Sequence, residues 1–302
     1  MTLRPRQPTR QPSRRPVPIR PTARRSIGGA SIRRTRSIRR ASAGLTPVRA
    51  GAILAMLLSA AAVYGVAHSS VFTYAYPRVE GVTYTDQKAV VAVLEDARGA
   101  NLFGLVTRPL EDRIRELPTV RSADVSVRLP DTVAVRLRER SPILVWQVGA
   151  RRYLVDTDGQ LFARLADAPP EAAADLPVVE DRRAAAVGLA IGRAIERVDL
   201  DAATRLASLV PADVGSEAEA LHVYVSDANG FTVRTKPSTW QAVFGFYTPT
   251  LRTPELIPGQ VRLLRSLLIG REPLIDRVIL ASETDGTYTT KATPLPSATP
   301  AP

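Results

Sequence analysis

An abrupt change of character at residue 50 constrains this chain more than any other feature. The first 49 residues hold 14 Arg and no Lys, Asp or Glu, and an uncharged apolar run, Ala50 to Ala67 (AGAILAMLLSAAAVYGVA), follows directly. About 18 helical residues reach ~27 Å, close to the ~30 Å hydrocarbon core of a bilayer. No Asp, Glu, Lys or Arg occurs from Ala50 to Pro77, so the span can extend a turn further and is placed at residues 50–70. Positive charge on one flank alone predicts the orientation: the arm in the cytoplasm, everything after Ser70 outside it. The competing reading is a cleaved signal peptide ending at Gly65-Val66-Ala67, but the basic region of such peptides is short and here 49 residues precede the apolar run.

The net charge of +12 belongs to the arm. Removing its 14 Arg from the 41 Lys+Arg leaves 27 against 29 Asp+Glu, so the remainder is near neutral. There is no Cys, which excludes thiol catalysis, disulfides and Cys-based zinc sites, and the only two His, His68 and His222, exclude a multi-histidine metal centre. No cofactor is expected.

The arm, residues 1–49, is rich in Arg, Pro, Ser and Thr and poor in large apolar side chains, a composition that cannot offset its ordering entropy and predicts disorder. Its Arg side chains suit anionic membrane lipids. No aromatic residue interleaves them, so no base-stacking platform exists and no specific nucleic acid is expected. Hydroxyls follow Arg pairs at Ser26, Thr35 and Ser42, a pattern that basic-directed kinases accept and that an Arg/Ser-rich arm also produces by chance. Residues 289–302, rich in Thr and Pro, are expected to form an unstructured tail. Within the span, Gly51, Ala55 and Ser59 recur at four-residue spacing, a small-residue face on which another helix could pack.

Residues 71–140 predict the order β-α-α-β-β. Val71 to Val79 has strand-like content. Thr85 is a candidate N-cap for a helix with Val90, Val93, Leu94 and Ala97 on one face, stopped by Gly99. Pro109 suits the first turn of a second helix with Leu110, Ile114 and Leu117 along its apolar stripe. Ala123, Val125, Val127 and Leu129 then alternate with polar residues, Pro130-Asp131 turns the chain, and Val133, Val135 and Leu137 alternate again.

Residues 141–288 read mostly as strand. Leu221, Val223 and Val225, then Asn229-Gly230, then Phe231, Val233 and Thr235 predict a hairpin. Helices are expected near Asp201–Leu209 and Gln260–Leu268, and a largely covered strand at Leu274–Leu280. Asp167–Ala186 and Thr248–Pro258 read as loops. Asp156-x-Asp158-Gly159 looks like the start of a calcium loop but lacks the further carboxylates, so a hairpin turn is the better reading. No residue pattern points to a nucleophile, acid/base pair or phosphate loop.

Leu117-Pro118-Thr119-Val120-Arg121-Ser122-Ala123-Asp124-Val125, Leu129-Pro130-Asp131-Thr132-Val133-Ala134-Val135 and Glu139-Arg140-Ser141-Pro142 resemble the POTRA domain of the FtsQ/DivIB cell-division family. Val79-Glu80-Gly81-Val82 and Asn101-Leu102-Phe103 do so as well. Trp146, Tyr153 to Phe162, Trp240 to Gly245 and Gln260 to Leu268 resemble the second, β-rich domain of that family. The resemblance implies an α+β, single-pass membrane protein: a POTRA domain at 71–140, then a mostly antiparallel β domain with flanking helices at 141–288. It implies a non-catalytic scaffold at the division septum of the bacterial inner membrane, supporting septal peptidoglycan synthesis. Its partners would be bitopic proteins of FtsB and FtsL type and the septal wall synthase complex. In that family the last strand of the β domain is a principal partner-binding edge. Here the candidates are Val278, Leu280, Ser282 and Tyr288, although the stretch lacks an obvious aromatic cluster near Val278. The alternative is a POTRA-containing envelope adaptor unrelated to division.

Overall fold

The structure, a computed structural model, describes residues 46–291. The Arg-rich arm up to residue 45, with Ser26, Thr35 and Ser42, and residues 292–302 of the expected tail lie outside the described residues. Helix α1 (Pro47–Ala67) begins three residues before the expected span, because Pro47 sits in a first turn that needs no N–H from it. Its 21 residues have a mean hydropathy of 2.0 over the most apolar window, and among the described residues it alone is long and apolar enough to cross a bilayer. Gly51, Ala55 and Ser59 share one exposed face of it.

The POTRA-like module runs β1 (Tyr76–Glu80), α2 (Gln87–Glu95), α3 (Arg108–Arg115), β2 (Val120–Arg128) and β3 (Thr132–Glu139). Its three strands lie in the order β1-β3-β2, with β1 parallel and β2 antiparallel to the central β3. Val90 and Leu94 of α2 and Leu110 and Ile114 of α3 bury against Val125, Val133, Val135 and Leu137. The helix cap falls one residue later than expected. The Asp86 side chain accepts the Lys88 N–H, while the Thr85 hydroxyl pairs with Thr119 at 2.8 Å. Gly81 has φ +84°, and a Cβ there would sit 2.4 Å from the Leu137 carbonyl oxygen, so backbone approach at this corner demands glycine.

The second module is one nine-stranded sheet. Its strands are β4 (Leu144–Val148), β5 (Arg151–Val155), β6 (Leu161–Arg164), β7 (Val178–Asp181), β8 (Ala220–Ser226), β9 (Gly230–Lys236), β10 (Gln241–Gly245), β11 (Ile275–Leu280) and β12 (Gly286–Thr290). The short α4 (Glu171–Ala174) precedes β7, and α5 (Arg197–Ala207) and α6 (Ile257–Leu268) follow β7 and β10. The spatial order is β12-β11-β10-β9-β8-β7-β4-β5-β6. Pairing is antiparallel except at β10–β11, β7–β8 and β4–β7. Ala202, Ala203 and Leu206 of α5 and Leu264 and Leu268 of α6 close one face over Trp146, Val179, Val223, Phe231, Phe244 and Val278.

Three sequence expectations are corrected. Asp167–Ala186 is not a loop: it contains β7, which joins the two halves of the sheet. Four residues, two of them acidic, give no readable periodicity, and parallel partners on both sides hold the strand instead. Residues 248–258 end inside α6, whose Pro258 occupies the tolerant first turn. The tail expected from Thr289 gives up Thr289 and Thr290 to β12, because these residues pair with Arg277 and Ile275. The hairpin over Asn229-Gly230 and the turn at Asp156–Gly159 form as expected.

A carboxylate braces the end of the first module and an ion pair beside it reaches the second. The Glu139 carboxylate accepts the backbone N–H groups of Thr83, Tyr84 and Thr85 at 2.7–3.1 Å, tying the end of β3 to the entry of α2. Next to it, Arg140 donates to the Pro118 carbonyl and, at 2.5 Å, to Asp156. The second Asp156 oxygen accepts the N–H groups of Asp158 and Gln160. Asp156 is therefore both the turn residue expected from sequence and the buried half of an inter-module ion pair. Tyr84 also reaches across, edge-on to Phe162.

Candidate functional site

A sheet can take on a partner strand only where a backbone edge is open. At the β6 end that edge is occupied at its start: Leu161 donates to the Arg193 carbonyl, Gly192 donates to the Leu161 carbonyl, and Gln160 bridges to Ala194. At the other end, no strand among the described residues pairs with the outer side of β12.

The bonding phase of β12 can be read from its turn. Ala281 donates to the Asp285 carbonyl, which makes that pair a bonded one. Bonded and non-bonded pairs alternate along an antiparallel ladder. Arg277–Thr289 and Ile279–Thr287 are thus bonded pairs, while Val278–Tyr288 and Leu280–Gly286 are non-bonded. The N–H and C=O groups of Gly286 and Tyr288 consequently point outward from the sheet. Alternating with these positions stand Thr287 and Thr289, both exposed, and the strand carries no charge or proline that would block pairing.

The turn leading into β12 is firmly held. Arg252 donates to the carbonyls of Phe244, Leu280 and Ala281, and Gln260, itself accepting from the Tyr247 hydroxyl at 2.7 Å, donates to Leu280 at 3.1 Å. These side chains satisfy carbonyls where the parallel pair β10–β11 diverges. The first turn of α6 lies so close that a Cβ on Gly259 would overlap the Glu283 side chain.

The four sequence candidates separate. Val278 and Leu280 are 0% and 1% exposed and belong to the core, on a strand paired on both sides, so neither lies on an edge. A proline at Val278 would break the sheet interior. Ser282 is a turn residue whose hydroxyl accepts the N–H groups of Thr284 and Asp285. Tyr288, 43% exposed, is the candidate on the open edge. Thr287 and Ile279, exposed side by side, are not among the sequence candidates. Apolar residues on both faces of this strand read as a covered one, but alternation turns Ile279 away from the core that Val278 and Leu280 enter, and no described layer lies over it.

The sheet face away from α5 and α6 carries a polar cluster. Arg182 lies 4.3 Å above the Tyr224 ring and donates to Glu180, which holds that carboxyl below its usual range. His222, 3.6 Å from Glu180, is kept below its ordinary value of 6.5, chiefly by burial, with Glu180 opposing that shift. The unfolded chain therefore takes up this proton at higher pH than the folded one. Stability is full above pH 6.5 and declines as pH falls from there toward the folded value. In an NMR titration the His222 ring signals should move with a midpoint below 6.5, and His222→Gln should flatten the urea midpoint over that interval.

A cleft of about 380 Å³ at the start of α5 is lined by Trp146, Asp181, Arg183, Asp199, Phe246 and Tyr247. Arg183 pairs with both carboxylates, and Trp146 Nε1 donates to Asp181 at 3.2 Å. Arg183 thus engages Asp181 and Asp199 in structural ion pairs.

Residues 78–140 match the family described as POTRA domain, FtsQ-type. The chain is similar to the cell division protein FtsQ of Rickettsia felis, 32% identical over 81 residues, which is 27% of this chain and 30% of the relative. It is similar to FtsQ of Zymomonas mobilis, 29% identical over 108 residues, covering 36% and 33% of the two chains. FtsQ of Corynebacterium glutamicum is 35% identical over 82 residues, covering 27% and 37%. The similarity thus spans about a third of the length of these curated relatives.

Proposed function

We propose that this chain, which carries an FtsQ-type POTRA domain at residues 78–140, is a division protein of the FtsQ/DivIB kind and acts as a non-catalytic, bitopic scaffold of the bacterial division machinery. In this reading α1 crosses the inner membrane, the Arg-rich arm stays in the cytoplasm, where anionic lipids attract it, and both folded modules lie outside at the division septum. The scaffold supports septal peptidoglycan synthesis by receiving bitopic partners of FtsB and FtsL type, and through them the wall synthase complex. The observation that carries the partner-binding step is the open β12 edge, with Tyr288 on it and Thr287 and Ile279 beside it. Val278, Leu280 and Ser282 serve it indirectly, by fixing β11 and the turn. Gly51, Ala55 and Ser59 offer α1 a close-packing face for a partner helix.

A fluorescent fusion at native expression, imaged in dividing source cells, tests the role. A band at the division site that forms before constriction is the expected result. Uniform membrane signal through the cycle would favour the general envelope adaptor.

A further inference from the structure

The end of the POTRA module nearest α1 is more apolar than a solvated surface requires. Phe103 and Val106, in the loop between α2 and α3, are 57% and 68% exposed, and Val71, Tyr76 and Leu129 are exposed as well. Backbone bonds gather these residues at one place. Leu102 donates to the Phe72 carbonyl, Tyr74 to Ala100, and Tyr76 to Asp131 in the turn after Leu129. The Phe103 and Phe72 rings are 5.0 Å apart.

That end is also tied to the apolar helix. Asn101 Nδ2 donates to the carbonyl of Ala67, the last residue of α1, at 2.7 Å, and Asn101 Oδ1 accepts the Phe103 N–H at 2.9 Å. One side chain therefore links the end of the helix to the backbone of the exposed phenylalanine. The five residues from Ala67 to Phe72 also limit the separation of helix end and module to roughly 17 Å of extended chain. The zone beyond the hydrocarbon core is about 5–7 Å deep on each side and favours amphipathic and aromatic groups. Arg108 and Arg128 are exposed in the flanking segments and pair with no carboxylate among the described residues.

We infer that Phe103, Val106, Val71, Tyr76 and Leu129 form a membrane-surface contact: the POTRA module rests this end on the bilayer that α1 crosses, with its aliphatic and aromatic tips at the headgroup boundary and Arg108 and Arg128 toward anionic lipid. The contact fixes the height of the module above the membrane. It rests on the reading of α1 as a span, and the test separates the two.

The absence of Cys allows single labels. Full-length Phe103→Cys, Val106→Cys, Ser59→Cys and Thr284→Cys variants carry an environment-sensitive fluorophore in vesicles of phosphatidylglycerol and phosphatidylcholine. Nitroxides are placed either near the headgroup or deep in the acyl chains. Labels at 103 and 106 should be blue-shifted and quenched several-fold more by the shallow nitroxide than the label at 284. Quenching at 59 by the deep nitroxide, with 103 and 106 no more affected than 284, would overturn the surface contact and leave the span intact. No quenching at 59 would remove the span, and the contact with it. Shielding of 103 and 106 only after partner division proteins are added would assign the patch to protein and overturn the lipid contact.

Discussion

A Tyr288→Pro variant should lose partner binding at least tenfold, about 1.4 kcal/mol or more, while its unfolding midpoint barely moves. The Tyr288 N–H points away from β11, so proline removes no bond of the existing ladder, and an edge strand tolerates it on that side. An added strand would need that N–H, and the pyrrolidine ring would also obstruct its approach. Tyr288→Thr separates the contributions, since it keeps the N–H and strand preference but drops the ring. Affinities measured for the reconstituted full chain with partners of FtsB and FtsL type decide the matter. Unchanged binding of the folded Tyr288→Pro protein would place the partner elsewhere.

Asp156→Ala should be the most destabilising single exchange at the junction, costing about 3 kcal/mol. It strips Arg140, a mostly buried cation, of its close carboxylate and leaves the Asp158 and Gln160 N–H groups without their acceptor. Urea unfolding of the full chain measures the loss. An Arg140→Met/Asp156→Asn pair should recover part of it, because the uncompensated charge is then gone. A loss below about 1 kcal/mol for Asp156→Ala would mean that the pair is solvated and the junction loose.

In the POTRA module α2, α3, β2 and β3 were legible, since each buries one face and its periodicity survives in the residues, whereas of the expected strand Val71–Val79 only Tyr76 to Val79 lie in β1 and Ser70–Phe72 form a 3-10 turn. Val90 with Leu94, and Val133 with Val135 and Leu137, are the residues that fill its core. The β domain was legible where strands are long and turns carry Asn-Gly or Asp-Gly. It was not legible at β7, where two acidic residues in four disguise a central strand. At the candidate site, the hydrophobic pattern around Val278 and Leu280 shows that this strand is buried. It cannot show which strand is last, because edge status depends on what pairs beside it.

By itself the sequence determined the division of the chain into a basic arm, one apolar helix and two folded modules, because charge asymmetry, hydropathy and periodicity are local properties. It also determined the POTRA type, through motifs in a fixed order. Only the tertiary structure decided that β12 ends the nine-stranded sheet with no described strand beyond it, that Asp156 receives Arg140 across the junction, and that Asn101 links the end of α1 to Phe103. Each of these joins residues between 16 and 34 positions apart or depends on what lies beyond the last strand, and neither relation leaves a mark on local sequence.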